Sequence, residues 1–296
     1  MLIATVPPVH QERLLQKIVA EPLVDALRYN TGLVSAYSPQ ETIERIVKLA
    51  ETYRKKLWID LKGRQLRIVQ WAVPNYGKIV LNHEIEVELP AKIVFRGDDP
   101  SEIKLVRENI VYVDPPPKYA VGAGQAINIL SQNLKVKGYL TKEDREYIKA
   151  SINCGVRNFM LSFVESLSDV EELQSTAGGG KVEVILKIES IKGMQFVKSF
   201  SKKDGFSLMA ARDDMVINLG KVEVFTALKE IIAKDPQAIV ASKIFSTLET
   251  TGSTSMADFA DLMLMKLFGY RNFMFSDGVC LNYFDRAVAA WKEFNG

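Results

Sequence analysis

The sequence predicts an α/β chain folded as a (β/α)8 TIM barrel, with a small β insertion after the third strand. Three observations lead there. Short apolar runs alternate with amphipathic helical stretches, about eight times along 296 residues. The runs are rich in Val, Ile and Phe, the composition of strands buried in a parallel sheet. The series also closes on a helix, which favours a closed barrel over an open sheet.

The elements follow in order. "LIATV" (2–6) is the first strand, and "QERLLQKIV" is a weak helix after it. "GLVSAY" (32–37) is short and strand-like. "SPQETIERIVKLAETYRK" (38–55) opens with Ser38, has Pro39 at the first helical position and carries apolar residues at helical spacing. "KLWIDL" (56–61) is the third strand. In residues 68–138 the rhythm stops. Strand-like alternation and the turn signals "RGDDPS" and "DPPP" predict a β insertion over one end of the barrel, where a lid could close. The barrel then comprises 1–67 and 139–296. "LTKEDREYIKASINCG" is a helix opened by Thr141 with Asp144 and stopped at Gly155. The remaining strands are "RNFMLSFV" (157–164), "KVEVILKIES" (181–190), "DGFSLMAA" (204–211), "AIVASKIF" (238–245) and "RNFMFSD" (271–277), with helices between and after them.

Bulk properties exclude several classes of function. A net charge of +2 gives no electrostatic case for nucleic acid or an anionic membrane. No 18-residue apolar stretch occurs, and "MLIATVPPVH" lacks the form of a signal peptide. Cys154 and Cys280 have no metal-ligand spacing and read as reduced thiols of a cytoplasmic protein. His10 and His83 are too far apart in sequence to suggest a histidine-rich zinc site.

In such barrels the site forms at the C-terminal ends of the strands. The third strand delivers Asp60, Lys62 and Arg67 there, and the fourth Ser162 and Glu165. The fifth delivers Lys187 and Glu189, two apart and so on one face. The sixth gives Arg212, Asp213 and Asp214, and the seventh Ser242 and Lys243. Glu189 with Asp213 or Asp214 offers hard oxygen ligands to Mg²⁺ or Mn²⁺. Lys187 beside them suits a transferring phosphoryl group or a developing enolate. Arg28 and Arg67 add positive charge for phosphate or carboxylate. Each motif alone has a bland reading: K-x-E on a strand is commonly an ion pair, and "GAGQA" (122–126) does not join a strand to a helix as a phosphate loop does. The argument rests on several charged strand ends in one barrel order.

In that order the sequence resembles the pyruvate kinase family. "VILKIESIKGM" is similar to that family's K-I-E strand, and "DGFSLMAARDDM" to its D-G-I-M-V-A-R-G-D-L signature. "ALRYNTG" resembles R-L-N-F-S, "IDLKGRQLR" resembles D-T-K-G-P-E-I-R, and "IVASKIFSTLETTGSTSMADFADLM" resembles the seventh unit. The resemblance spans nearly all of 2–296 and implies phosphoryl transfer from phosphoenolpyruvate to ADP, giving pyruvate and ATP. It assigns Lys187 to the transferring phosphoryl and the enolate, and Glu189 and Asp214 to the divalent metal. Arg28 and Asn30 hold phosphate near a monovalent cation, Arg67 assists at the phosphoryl group, and Ser242 stands where the family has a threonine. Asp213 and Ser162 fall on the substrate side. A homo-oligomer is an expected assembly.

The departures from the family pattern are local. Asp213 replaces the R-G-D glycine, Gly32 the serine of N-x-S, Leu33 the histidine after it, Leu61 the threonine of D-T-K-G, and Gln65 the glutamate of P-E-I-R. These changes argue against a conventional K⁺ site at Asn30, Asp60 and Leu61. Glu165 replaces the arginine of S-F-V-R, and "SDGVC" stands for S-G-E-T. The insertion is shorter than usual, and the chain ends after the eighth helix, so the resemblance implies no C-terminal regulatory domain here. Two readings follow: a minimal pyruvate kinase, or an altered homologue. The second would be a pseudoenzyme or binding protein, or a metal-dependent enzyme on another 2-oxo acid.

Overall fold

The computed structural model describes residues 1–72, 77–95, 100–203 and 205–296. Eight parallel strands close into a barrel: Leu2–Thr5, Ala26–Asn30, Lys56–Leu61, Asn158–Leu161, Glu183–Ile188, Phe206–Ala211, Ile239–Ala241 and Asn272–Met274. Each pairs with its neighbours in sequence order, and the first closes against the eighth through Leu2–Phe273 and Ile3–Met274. Between them run helices such as Pro39–Thr52, Lys142–Asn153, Leu167–Thr176 and Met256–Phe268.

Local chemistry sets the helix starts. Ser38 Oγ accepts the amide N–H of Glu41 while the Glu41 carboxylate accepts that of Ser38, with Pro39 just inside. Ser166 with Asp169 and Ser255 with Asp258 repeat the device. Gly155 ends its helix at φ +76°, a conformation that costs glycine nothing.

The strand parity determines what fills the barrel. Ile3, Ala26, Trp58, Met160, Ile185, Met209, Ile239 and Met274, with Ala241 as a second residue from the seventh strand, pack together as a buried apolar cluster. Side chains two residues further on share their face. Those positions are Thr5, Arg28, Asp60, Ser162, Lys187, Ala211, Ala241 and Ser276. The barrel interior is therefore apolar in one layer and polar or small in the next.

Three expectations are corrected. The second strand is Ala26–Asn30, not 32–37. After Asn30 the chain turns: Asn30 Oδ1 accepts the Gly32 N–H, Ser35 Oγ accepts that of Tyr37, and Val34 is exposed. Arg28 and Asn30 had hidden the strand by interrupting its apolar pattern. The seventh strand stops at Ala241, because Ser242, Lys243 and Phe245 all adopt positive φ. The cluster Arg212, Asp213 and Asp214 is the first turn of a helix, Arg212–Leu219. Carboxylates suit that turn because the helix dipole is positive there. Asp204, which opened the expected sixth strand, and Arg96 to Asp99 of the expected "RGDDPS" turn lie outside the described residues.

By contacts the chain divides into two compact units, Met1–Leu61 with Glu143–Gly296, and Lys62–Lys142. The second holds an antiparallel five-stranded sheet in the order Lys78–Val80, Ile110–Asp114, Ser101–Arg107, Ala91–Phe95, Ile127–Leu130, and a two-stranded ribbon of Ile85–Glu86 with Lys135–Val136. Its own core includes Ile79, Leu81, Ile93, Phe95, Ile103 and Val111. Among the described residues no helix is long and apolar enough to cross a membrane.

Candidate active site

Lys187 is the centre of the polar layer. It is 7% exposed. Its Nζ donates to Ser162 Oγ at 2.7 Å, and lies 3.4 Å from Asp60 Oδ1 and 3.3 Å from Glu189 Oε1. Ser162 in turn donates to the Leu61 carbonyl at 2.8 Å. Burial alone would pull the ammonium's pKa down, but Asp60 and Glu189 outweigh it and the value is raised. Lys187 is thus a fixed, buried cation.

Glu189 is also buried, and its Oε2 accepts the Phe163 N–H at 2.7 Å. Burial, helped by the nearby charge of Asp214, raises its carboxyl to about 7 against the opposing pull of Lys187. Asp214, half-buried in the first turn of helix 212–219, faces it electrostatically. Among the described residues no group of three or more His, Cys, Asp or Glu side chains forms a metal cluster. Beside Lys187, Glu189 and Asp214 are carboxylates that could serve a cation. They fit Mg²⁺ or Mn²⁺, which are commonly held by one or two carboxylates with substrate oxygens and water completing the shell. The raised Glu189 value comes first from burial and then from the neighbouring charge of Asp214, and a divalent cation bound there would relieve both.

Arg28 forms the second cationic centre. Its Nε donates to Asp60 Oδ2 at 2.7 Å and its Nη2 lies 2.6 Å from the same oxygen. Its Nη1 donates to Thr5 Oγ1 and to Asp277 Oδ2, both at 2.9 Å. Burial opposes the charge, but Asp277 and Asp60 overcome it, and the guanidinium is held more firmly protonated than usual. Asn30 Nδ2 also donates to Asp277, at 3.2 Å. Burial would raise the Asp277 carboxyl, yet Arg28 and Asn30 hold it below the ordinary value.

The other expected residues take distinct positions. Asp60 is shared between Arg28 and Lys187, so two side-chain cations already neutralise it. The Leu61 side chain is apolar and buried and offers a cation nothing. Asp213 is exposed and paired with Lys243 at 2.7 Å. Ser242 sits at φ +63° and its carbonyl accepts two bonds from Arg212, at 3.0 and 2.7 Å. Arg212 is anchored by Asp261 through two bonds of 2.6 and 2.8 Å. Arg67 belongs to the 62–142 unit, where it donates to Gln65 Oε1 at 2.9 Å and to the Gly124 carbonyl at 2.7 Å. Glu165 accepts the Ser190 hydroxyl at 2.8 Å.

Sequence reasoning missed Asp277, Thr5 and Asp261. Asp277 had a signal: "SDGVC" marks an acidic residue just past the eighth strand. Thr5 could have been placed by counting two residues on from Ile3. Asp261 lies inside a helix whose pattern says nothing of the arginine it meets.

The fold and these charged strand ends define a barrel of the kind that builds its site on the C-terminal face of the strands. The chain belongs to the pyruvate kinase family. The family model "Pyruvate kinase, barrel domain" matches residues 107–277, more than half of the chain. Pyruvate kinase of Thermoplasma acidophilum is 24% identical over 285 residues, covering 88% of this chain and 51% of that protein. That of Thermotoga maritima is 28% identical over 273 residues, covering 81% of this chain and 58% of its own length. That of Methanocaldococcus jannaschii is 23% identical over 214 residues, 67% of this chain and 46% of the relative. The chain thus spans about half the length of these curated relatives.

Proposed function

We propose that the barrel catalyses phosphoryl transfer from phosphoenolpyruvate to ADP, giving pyruvate and ATP. The observation that carries this reading is the buried Lys187, held as an ammonium among Ser162, Asp60 and Glu189 at the C-terminal end of the fifth strand. Such a pre-organised cation is suited to charge that develops during the reaction. The bond from phosphorus to the enol oxygen breaks, a bond to the terminal phosphate oxygen of ADP forms, and the enolate left behind takes a proton at its methylene carbon. Lys187 stabilises the negative charge on the phosphoryl and then on the enolate oxygen. A divalent Mg²⁺ or Mn²⁺ held by Glu189 and Asp214 would supply electrostatic stabilisation of the same oxygens. Arg28 supports the phosphate side, with Asn30 beside it and Ser162 fixing the ammonium. Arg67 is assigned to the phosphoryl group and Ser242 to the methylene side. Asp60 is bound to Arg28 and Lys187, and the Leu61 side chain offers no ligand, so a K⁺ site at Asn30, Asp60 and Leu61 is not part of this reading. Both cysteines are free thiols, in keeping with a cytoplasmic enzyme.

A second reading is favoured by Asp277. Its carboxylate already takes Arg28 and Asn30, the groups assigned to phosphate. An altered homologue that keeps enolate chemistry on a 2-oxo acid, or only binds one, would carry such a replacement. The test is pyruvate formation from phosphoenolpyruvate and ADP with Mg²⁺ or Mn²⁺, with and without K⁺. Turnover that Lys187→Ala abolishes supports the kinase. Folded, metal-loaded protein without turnover leaves the second reading.

A further inference from the structure

The ion pair of Asp213 and Lys243 presents a puzzle of cost. Lys243 follows Ser242 in left-handed backbone, at φ +59° and +63°, and Phe245 adopts the same region. Residues with side chains adopt it only where the surroundings impose it. Here the surroundings do so visibly. Arg212, 4% exposed, places two N–H groups on the Ser242 carbonyl and is itself fastened to Asp261 by two more. The product of this bracing is an exposed salt bridge, Lys243 Nζ to Asp213 Oδ1 at 2.7 Å, with side chains 49% and 54% exposed. An exposed pair of that kind adds little to stability. The turn also buries Ile244 and Phe245, but that packing does not call for a charged side chain at 243, and what the turn sets beside Asp213 is that lysine.

Position supports this. Ala211 and Ala241 are register partners on the adjacent sixth and seventh strands. Asp213 and Lys243 each lie two residues beyond them, and Asp214 is the next residue on. Both alanines are small and buried. The pair therefore stands just beyond two adjacent strand ends, on the face that carries the other charged strand-end residues. Asp213 is also the residue at odds with an anionic substrate, and Lys243 is the group that neutralises it.

We propose that Lys243 is a specificity-determining cation: it exchanges Asp213 for a carboxylate or phosphate oxygen of a bound small anion, and Asp213 is the internal competitor that sets the affinity. This rests on the reading of the barrel face as the site of an anionic substrate. Lys243 and Asp213 act as one charge-balanced unit, so the barrel mouth tolerates an aspartate beside Asp214 without repelling its ligand.

The experiment is a double-mutant cycle read by calorimetric titration of oxalate, and separately of inorganic phosphate, into protein with Mg²⁺ present. The proteins are the parent chain, Lys243→Gln, Asp213→Asn and the double variant. Lys243→Gln removes the cation and leaves Asp213 unpaired, so binding weakens by roughly tenfold. Asp213→Asn releases the lysine, so binding tightens by roughly threefold. In the double variant the loss is smaller than in Lys243→Gln alone, and the differences shrink in about 0.5 M salt. Where turnover is measurable, the loss in Lys243→Gln appears in KM for phosphoenolpyruvate more than in kcat. Unaltered melting temperatures show that all four proteins are folded. A flat cycle, weaker binding in Asp213→Asn, or no binding of either anion by the folded parent overturns the proposal. Its failure is separable from that of the kinase reading. A responsive cycle without pyruvate formation removes the kinase and keeps Lys243, whereas turnover with a flat cycle does the reverse.

Discussion

Two sets of side chains in the barrel interior lie two residues apart along each strand and differ in nearly everything else. The lower one is Ile3, Ala26, Trp58, Met160, Ile185, Met209, Ile239 and Met274, joined by Ala241, all buried and apolar. The upper one, two residues on, holds Arg28, Asp60, Ser162 and Lys187, with Glu189 beyond. Both are almost wholly removed from water. In the lower layer burial is itself the source of stability. In the upper layer burial penalises each charge, and the structure answers by pairing: Arg28 with Asp60 and Asp277, Lys187 with Asp60, Glu189 and Ser162. The difference shows where the fold is secured and where it carries a burden for another purpose. Buried charge of this density is not the cheapest way to fill a barrel.

The comparison can be broken by mutations that affect the wrong property. Lys187→Ala should lower pyruvate formation by a thousandfold or more, about 4 kcal/mol of transition-state stabilisation. A steady-state assay on protein with a native circular dichroism spectrum checks it. Met160→Ala, in the lower layer, should instead cost about 2–5 kcal/mol of stability through the cavity it leaves. Denaturant unfolding measures that loss, and kcat at a temperature where the variant is folded should hardly move. A large fall in kcat for Met160→Ala would dissolve the distinction between the layers.

Glu189 sharpens it further. Its carboxyl titrates near 7 in the fold against a reference of 4.5. Because the folded value is raised, the native state holds the proton more tightly than the unfolded chain. In metal-free protein the Glu189 contribution is therefore fully present below about pH 4.5 and is lost as pH rises through 7, an amount on the order of 3 kcal/mol. Glu189→Gln should flatten that slope in chelator-treated protein. The smallest expected effect is at Asp277, whose side chain is 34% exposed. Its value is depressed in the fold, so its contribution is present above the ordinary carboxylate range and lost on acidification. Asp277→Asn should cost no more than about 1 kcal/mol at pH 7, and less once the pH falls below about 4.

Much of this was legible in the sequence, for identifiable reasons. The closed eight-stranded barrel followed from alternation, and strands such as Phe206–Ala211 from apolar runs. Lys187 and Glu189 share a face by simple parity, and the structure brings Lys187 to Asp60 and Ser162. The second strand was missed because the polar Arg28 and Asn30 break the apolar pattern that strands are recognised by. The end of the seventh strand was missed because left-handed backbone at Ser242 and Lys243 is imposed by Arg212 from a neighbouring strand end, and no local propensity reports it. Asp277 was visible as a departure, but its partners lie 249 and 247 residues away. Pairings at that distance are set by barrel closure.

The central claim is that the upper layer stabilises negative charge on a three-carbon acid. The measurement that tests it most directly is exchange of the methyl protons of pyruvate with D₂O, followed by proton NMR with Mg²⁺ or Mn²⁺ and no nucleotide. The account predicts metal-dependent exchange well above the buffer-and-metal control, lost in Lys187→Ala. Exchange at the control rate in folded, metal-loaded protein would contradict it.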